Sequence, residues 1–295
     1  MNSLLAPDDF YILSGKKVSR LTSVNADKFA GIDMPTVTRF SFAGANNDTV
    51  WGYAVKPASL KDGKAPIAFI VHGGPQGSSN NSWSYRWNPA LFAGAGYGLV
   101  AIDFHGSTGY GQAFSDAIRN NWGGWPLEDL QKGLKAATSK FDWLDENNAC
   151  ALGASYGGYM MNWIEGQWPD RFKCIVQHDG VFDARAMAYE TEELWFDEWD
   201  HGGAPQYEAP ENYEKFNPVN HVAKWSKPML IIHGEQDFRV PDTQGISAFT
   251  ALQRRGIPSR LLYFPNENHW VLKPANSLQW HGEVMRWLGE YLGKP

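Results

Sequence analysis

Polar and apolar residues take turns along residues 36–42 (Thr36, Val37, Thr38, Arg39, Phe40, Ser41, Phe42). After a turn at Asn46, Asn47 and Asp48 a second such run covers residues 49–55. A period of two over this length predicts two strands, each with one wetted face. Farther on, the pattern changes to short unbroken apolar runs at 67–71, 98–102, 149–152, 174–176, 229–232 and 261–264. Strands covered on both faces read this way. Between them the spacing predicts helices over 85–92, 127–141, 156–165, 242–254 and 275–291. The alternation implies an α/β fold. Its sheet is mostly parallel, has about eight strands with helices on both faces, and starts with an antiparallel pair.

Two stretches break the rhythm. Residues 10–13 and 18–21 read as a hairpin around Ser14, Gly15, Lys16 and Lys17, with no nearby strand to extend it. Residues 183–225 interrupt the alternation with an acidic and aromatic run at 190–199 and then a proline-rich loop. An insertion at that point lies over the carboxyl ends of the strands, where α/β sheets bind ligands. It is expected to form a wall of the substrate site.

Composition narrows the classes. The 295 residues are 43% hydrophobic and 20% charged, an ordinary globular balance, and their net charge of −6 gives no reason to expect nucleic acid or an anionic membrane as partner. No apolar run reaches the roughly 18 residues that a membrane span needs. The first ten residues lack the basic and apolar segments of an export signal, which leaves the compartment open. No metal-ligand cluster, phosphate loop or dinucleotide fingerprint appears, so neither metal nor cofactor is expected. Cys150 and Cys174 open two runs read as neighbouring parallel strands. A disulfide is conceivable there, but buried free thiols are the expected state.

The candidate chemistry begins at Gly153-Ala154-Ser155-Tyr156-Gly157. A strand-like run precedes this G-x-S-x-G and a helical pattern follows it, which is the form of a nucleophile elbow. Ser155 is then the nucleophile. A serine hydroxyl needs a base, and the base needs an orienting carboxylate. Asp237 and His269 leave the ends of the two following strands in the chain order Ser, Asp, His. Glu235 and Glu267 are rival carboxylates; Asp237 is preferred because its short side chain lies deeper in its loop. His72, His105 and His178 read as hydrogen-bonded structural groups near the site, and His201, His221 and His281 as surface residues. After the strand at 67–71, the turn His72-Gly73-Gly74-Pro75 is suited to presenting a backbone N–H to an oxyanion. The donors would be the amides of Gly74 and Tyr156, since Pro75 has none.

Four motifs now stand in order: His72–Pro75, the glycine-rich run from Asp103 to Gly111, Gly153–Tyr159, and Gly234–Pro241. Together they resemble the catalytic domain of the prolyl oligopeptidase family, nearest to its acylaminoacyl-peptidase and dipeptidyl-peptidase V branch, across residues 36–293. The resemblance implies the α/β-hydrolase fold and a serine peptidase with Ser155, Asp237 and His269 as triad. It also implies that Arg239, two places after the aspartate, grips a carbonyl of the substrate's P2 residue. Relatives carry an N-terminal β-propeller over the active site. Residues 1–35 resemble only its last strands, ahead of a catalytic domain at 36–295, so a shortened form with an open cleft is expected.

The leading reading is hydrolysis of short peptides through an acyl-enzyme on Ser155. The alternative within the class is a carboxylesterase acting on short-chain esters with the same triad, since esters need less transition-state stabilisation. A non-catalytic binding domain is the rival from another class, disfavoured because all three triad positions are filled. The hairpin edge and the aromatic groups Trp83, Tyr85, Trp87 and Trp195, Phe196, Trp199 offer surfaces for a homo-oligomer.

Overall fold

Eight strands hydrogen-bond into one sheet in a computed structural model that describes residues 1–293. Two further strands, β1 (Tyr11–Ser14) and β2 (Lys17–Arg20), pair only with each other. The large sheet contains β3 (Thr36–Ala43), β4 (Thr49–Lys56), β5 (Ala65–Val71), β6 (Gly98–Asp103), β7 (Leu144–Ala154), β8 (Cys174–His178), β9 (Met229–Gly234) and β10 (Ser259–Phe264). Its spatial order is β10-β9-β8-β7-β5-β6-β4-β3. All pairings from β10 to β6 are parallel, and β4 joins β6 and β3 antiparallel.

Side chains along β5 show why the run at 67–71 is unbroken. Ile67, Phe69 and Val71 enter one hydrophobic cluster, while Ala68 and Ile70 enter another on the opposite face. Helices Trp125–Lys140, Tyr156–Gln167 and Asp242–Arg254 cover the first face. Helices Pro89–Gly94 and Pro274–Leu292 cover the second. Trp280, Val284, Trp287 and Leu288 form the buried stripe of the last helix, at the spacing an amphipathic helix requires. Each such burial contributes about 1.5–3 kcal/mol before entropy is counted. Among the described residues no helix is long and apolar enough to cross a membrane.

The structure corrects two expectations. The helix expected over 85–92 begins only at Pro89. Proline holds Asn88 extended, and the Asn88 side chain caps the helix by accepting the Ala90 N–H at 2.9 Å. Cys150 and Cys174 are not free thiols but a disulfide. The two residues are direct partners in the β7–β8 ladder, with Cα atoms 4.8 Å apart, so the parallel register alone brings their sulfurs together.

At the N-terminus, Leu4 is buried and donates its N–H to the Asn81 side chain across 77 positions of chain. Asp9 clasps the base of the hairpin by accepting from Arg20, Thr22 and the Val24 amide.

Candidate active site

The elbow between β7 and its helix is as tight as the G-x-S-x-G spacing implies. Ser155 has φ 60° and ψ −122°, a backbone that a non-glycine residue adopts only under constraint. The constraint is contact. A Cβ on Gly157 would lie 2.2 Å from the Val71 carbonyl oxygen, and one on Gly153 would lie 2.4 Å from that of Gly157. Ser155 is half-buried and lines a cleft of about 440 Å³ together with Gly73, Gly74, Tyr156, Arg239 and His269.

Asp237 follows β9 and is buried. One oxygen accepts the N–H groups of Arg239 and Val240, each at 3.0 Å. The other lies 2.7 Å from Nδ1 of His269, which follows β10. This leaves Nε2 of His269 to serve the cleft. Burial opposes charge on the imidazole, but the Asp179 charge and the Asp237 hydrogen bond together raise it above its ordinary value. The Ser155 hydroxyl has no hydrogen bond to His269 among the described residues; such bonds often close only around substrate. Of the rival carboxylates, Glu235 is exposed. Glu267 is buried but committed: it accepts from the amides of Leu272 and Lys273 and from Asn276, which fixes the loop carrying His269.

Gly74 and Tyr156 meet at the same cleft. Gly74 takes φ 125°, and a Cβ there would sit 2.5 Å from the Gln76 nitrogen, so glycine is required. Tyr156 is the first residue of its helix, so its N–H has no acceptor within the helix. The Arg239 guanidinium lies 3.1 Å from a Glu193 oxygen, 3.4 Å from one of Glu192, and over the Trp270 ring at 5.3 Å. It is therefore both ion-paired and at the cleft wall. The expected wall from the 183–225 insertion is present as Met187, Thr191, Glu193, Phe196 and Asp197.

The other histidines divide. His72 binds Ser107 and the Gly73 carbonyl, and His105 lies 2.6 Å from Asp129, both structural as expected. Among the described residues His178 has no hydrogen-bond partner on either nitrogen, contrary to expectation, although its Nε2 lies 3.1 Å from an Asp179 oxygen. His201 is not on the surface but buried. The insertion folds back so that its ring stacks on Tyr213 at 4.2 Å and its Nδ1 pairs with the Asp197 carbonyl at 2.9 Å. Reading the sequence missed Asp179 and Arg86, which also line the cleft. Asp179 had a visible signal, since it stands three positions past the run at 174–176, as Ser155 stands three past the run at 149–152.

The chain matches the Prolyl oligopeptidase family over residues 83–295. It belongs to that family. Dipeptidyl-peptidase 5 of Schizosaccharomyces pombe (strain 972) is 47% identical over 271 residues, which cover 91% of this chain and 40% of that protein. A probable dipeptidyl-peptidase 5 of Emericella nidulans is 45% identical, over 90% of this chain and 37% of its own length. Among solved structures, an acylaminoacyl peptidase in complex with Z-Gly-Gly-Phe-chloromethyl ketone superposes with a TM-score of 0.93 at 25% identity, covering 100% of this chain and 48% of that one. This prolyl oligopeptidase family member therefore has the α/β-hydrolase fold and spans about 40% of the length of those curated relatives.

Proposed function

We propose that this chain is a serine peptidase that hydrolyses short peptides of the dipeptidyl-peptidase or acylaminoacyl-peptidase type, with residues 36–295 as its catalytic domain. The observation that carries this reading is the 2.7 Å contact from Asp237 to His269 Nδ1, beside a Ser155 held in strained backbone on the same cleft.

In this mechanism the Ser155 Oγ attacks the scissile carbonyl carbon and its proton passes to His269 Nε2. The carbonyl oxygen becomes an oxyanion, received by the amides of Gly74 and Tyr156; each such donor is worth about 10²–10³ in rate. Asp237 holds the ring in the tautomer with a proton on Nδ1 and stabilises the imidazolium. The C–N bond then breaks, the amine leaves with the proton from Nε2, and an acyl-enzyme remains on Ser155. Water, deprotonated by His269, attacks that ester and restores the serine. Arg239 is suited to the P2 carbonyl because its fork of donors is fixed in direction.

Peptides are preferred to simple esters as substrates because the relatives named above are peptidases by name. A panel of acyl-peptide, dipeptidyl and short-chain ester chromogenic substrates tests this. Peptide cleavage that disappears in Ser155→Ala, together with fluorophosphonate labelling, is expected; ester turnover alone would return the carboxylesterase reading. Self-association through the exposed hairpin and Trp195 is a further proposal, and monomer alone by light scattering at high concentration would reject it.

A further inference from the structure

Asp179 leaves β8 at the centre of the rim, between the strands that deliver Ser155 and Asp237. It takes φ 39°, a left-handed backbone that costs a non-glycine residue energy, and it is 1% exposed. Its Oδ1 accepts the Ser155 N–H at 2.7 Å. Its Oδ2 is buried without a hydrogen bond among the described residues, 3.5 Å from His269 Nδ1 and 3.1 Å from His178 Nε2. An orphaned buried carboxylate oxygen is expensive, so a compensating charge is needed nearby.

We infer that Asp179 is a second positioning carboxylate of the site, fixing the nucleophile's backbone with one oxygen and supplying charge to His269 with the other. This rests on the triad reading given above. The geometry explains both features of the residue. The strained turn is held because a bond to the Ser155 amide requires the side chain to point back at the elbow. The orphaned oxygen is left open because its partner is the imidazolium that exists only after Ser155 has given up its proton. At that moment His269 faces two carboxylates, Asp237 at hydrogen-bond distance and Asp179 just beyond it.

The titratable groups that act on Asp179 are His178 on its own strand, Asp237 after β9, His269 after β10, and Arg86 from the loop before helix Pro89–Gly94; His233 on β9 stands behind them, against Asp237 and His178. Burial pushes its carboxyl up to about 7, and the Asp237 charge adds to this; the His269 charge, the Ser155 amide and Arg86 pull it down. Its charge is therefore present mainly above neutral pH, where it makes His269 a stronger base.

Asp179→Asn keeps an oxygen for the Ser155 amide and removes the charge. Titration of the isotopically labelled imidazoles by NMR, followed for His269, reads the effect without needing turnover. The His269 pKa is expected to fall by about one unit in the variant, and the acid limb of the kcat/KM profile to move to lower pH with it. An unchanged His269 titration in a folded variant overturns the proposal. In the wild type, the Asp179 carboxyl carbon is expected to titrate with an inflection shared with His269. Ionisation of Asp179 in the ordinary carboxylate range, with no shared inflection, also overturns it, and that measurement needs no variant. A wild-type protein in which Ser155 resists fluorophosphonate would sink the peptidase reading alone and leave the titration result to stand.

Discussion

Gly180 and Gly158 are in backbone contact: a Cβ built on Gly180 would lie 2.1 Å from the Gly158 carbonyl carbon, and one on Gly158 would lie 2.4 Å from the His178 carbonyl oxygen. The exit of β8 and the first turn of the helix that follows Ser155 are thereby locked to each other, with Asp179 between them. Gly180→Ala is expected to destabilise the fold by about 1–3 kcal/mol, as overpacking against backbone does. Urea denaturation measures it, and kcat should fall along with stability because the elbow shifts.

Asp237→Asn separates orientation from charge. Asparagine keeps an oxygen for the Arg239 and Val240 amides but presents the wrong group to His269 Nδ1. A fall in kcat of about 10³–10⁴ with little change in KM is expected. Glu235→Gln, two residues away and exposed, should leave kinetics unchanged; equal losses in both variants would mean that the loop, not the carboxylate, had been damaged.

Glu165 provides a pH-linked stability test away from the cleft. One oxygen accepts from the amides of Ser226 and Lys227, and the other is buried without a partner among the described residues. Burial raises its pKa to about 7 from an ordinary 4.5, against the pull of those amides. The folded protein therefore binds a proton that the unfolded chain has lost, and stability from this group falls as pH rises through that interval. Glu165→Gln removes the dependence. The melting temperature of the variant relative to wild type should climb between pH 4.5 and 8, by the equivalent of on the order of 2–3 kcal/mol. A constant difference across that range would refute the assignment.

The disulfide closes a loop with a sequence separation of 24. Replacing Cys150 and Cys174 with alanine together is expected to lower stability by about 3 kcal/mol through the entropy returned to the unfolded chain. A guanidinium titration of oxidised wild type against the double variant reads this directly.

Most of the fold was legible in the sequence because buried parallel strands have no polar face to display. The six apolar runs follow from that fact, and four of the five expected helices from their own spacing. The meeting of Asp237 with His269 at the rim that carries Ser155 was legible because each of the three sits just beyond a strand end, in a fixed order. What escaped depended on contacts between distant segments. His201 lies in a polar stretch and is buried because Trp122 and Tyr213 pack on its ring, at 5.2 and 4.2 Å. The cysteines read as neighbours, but the choice between free thiols and a disulfide turned on the register of β7 with β8. The helix at Pro89 started late because proline's effect on the residue before it outweighed the aromatic periodicity. Asp179 belonged to no motif, and its role emerges only where three strand ends converge.

The small β1–β2 ribbon has a consequence of its own. Phe10, Ile12, Leu13 and Val18 are 74%, 51%, 69% and 51% exposed, and the ladder between the two strands has four residue pairs. Among the described residues no further strand pairs with its outer backbone amides, so deuterium should enter there long before it reaches β5 or β7. The same unpaired edge is a template: an extended segment laid along it would find donors and acceptors in register and a greasy flank beside them.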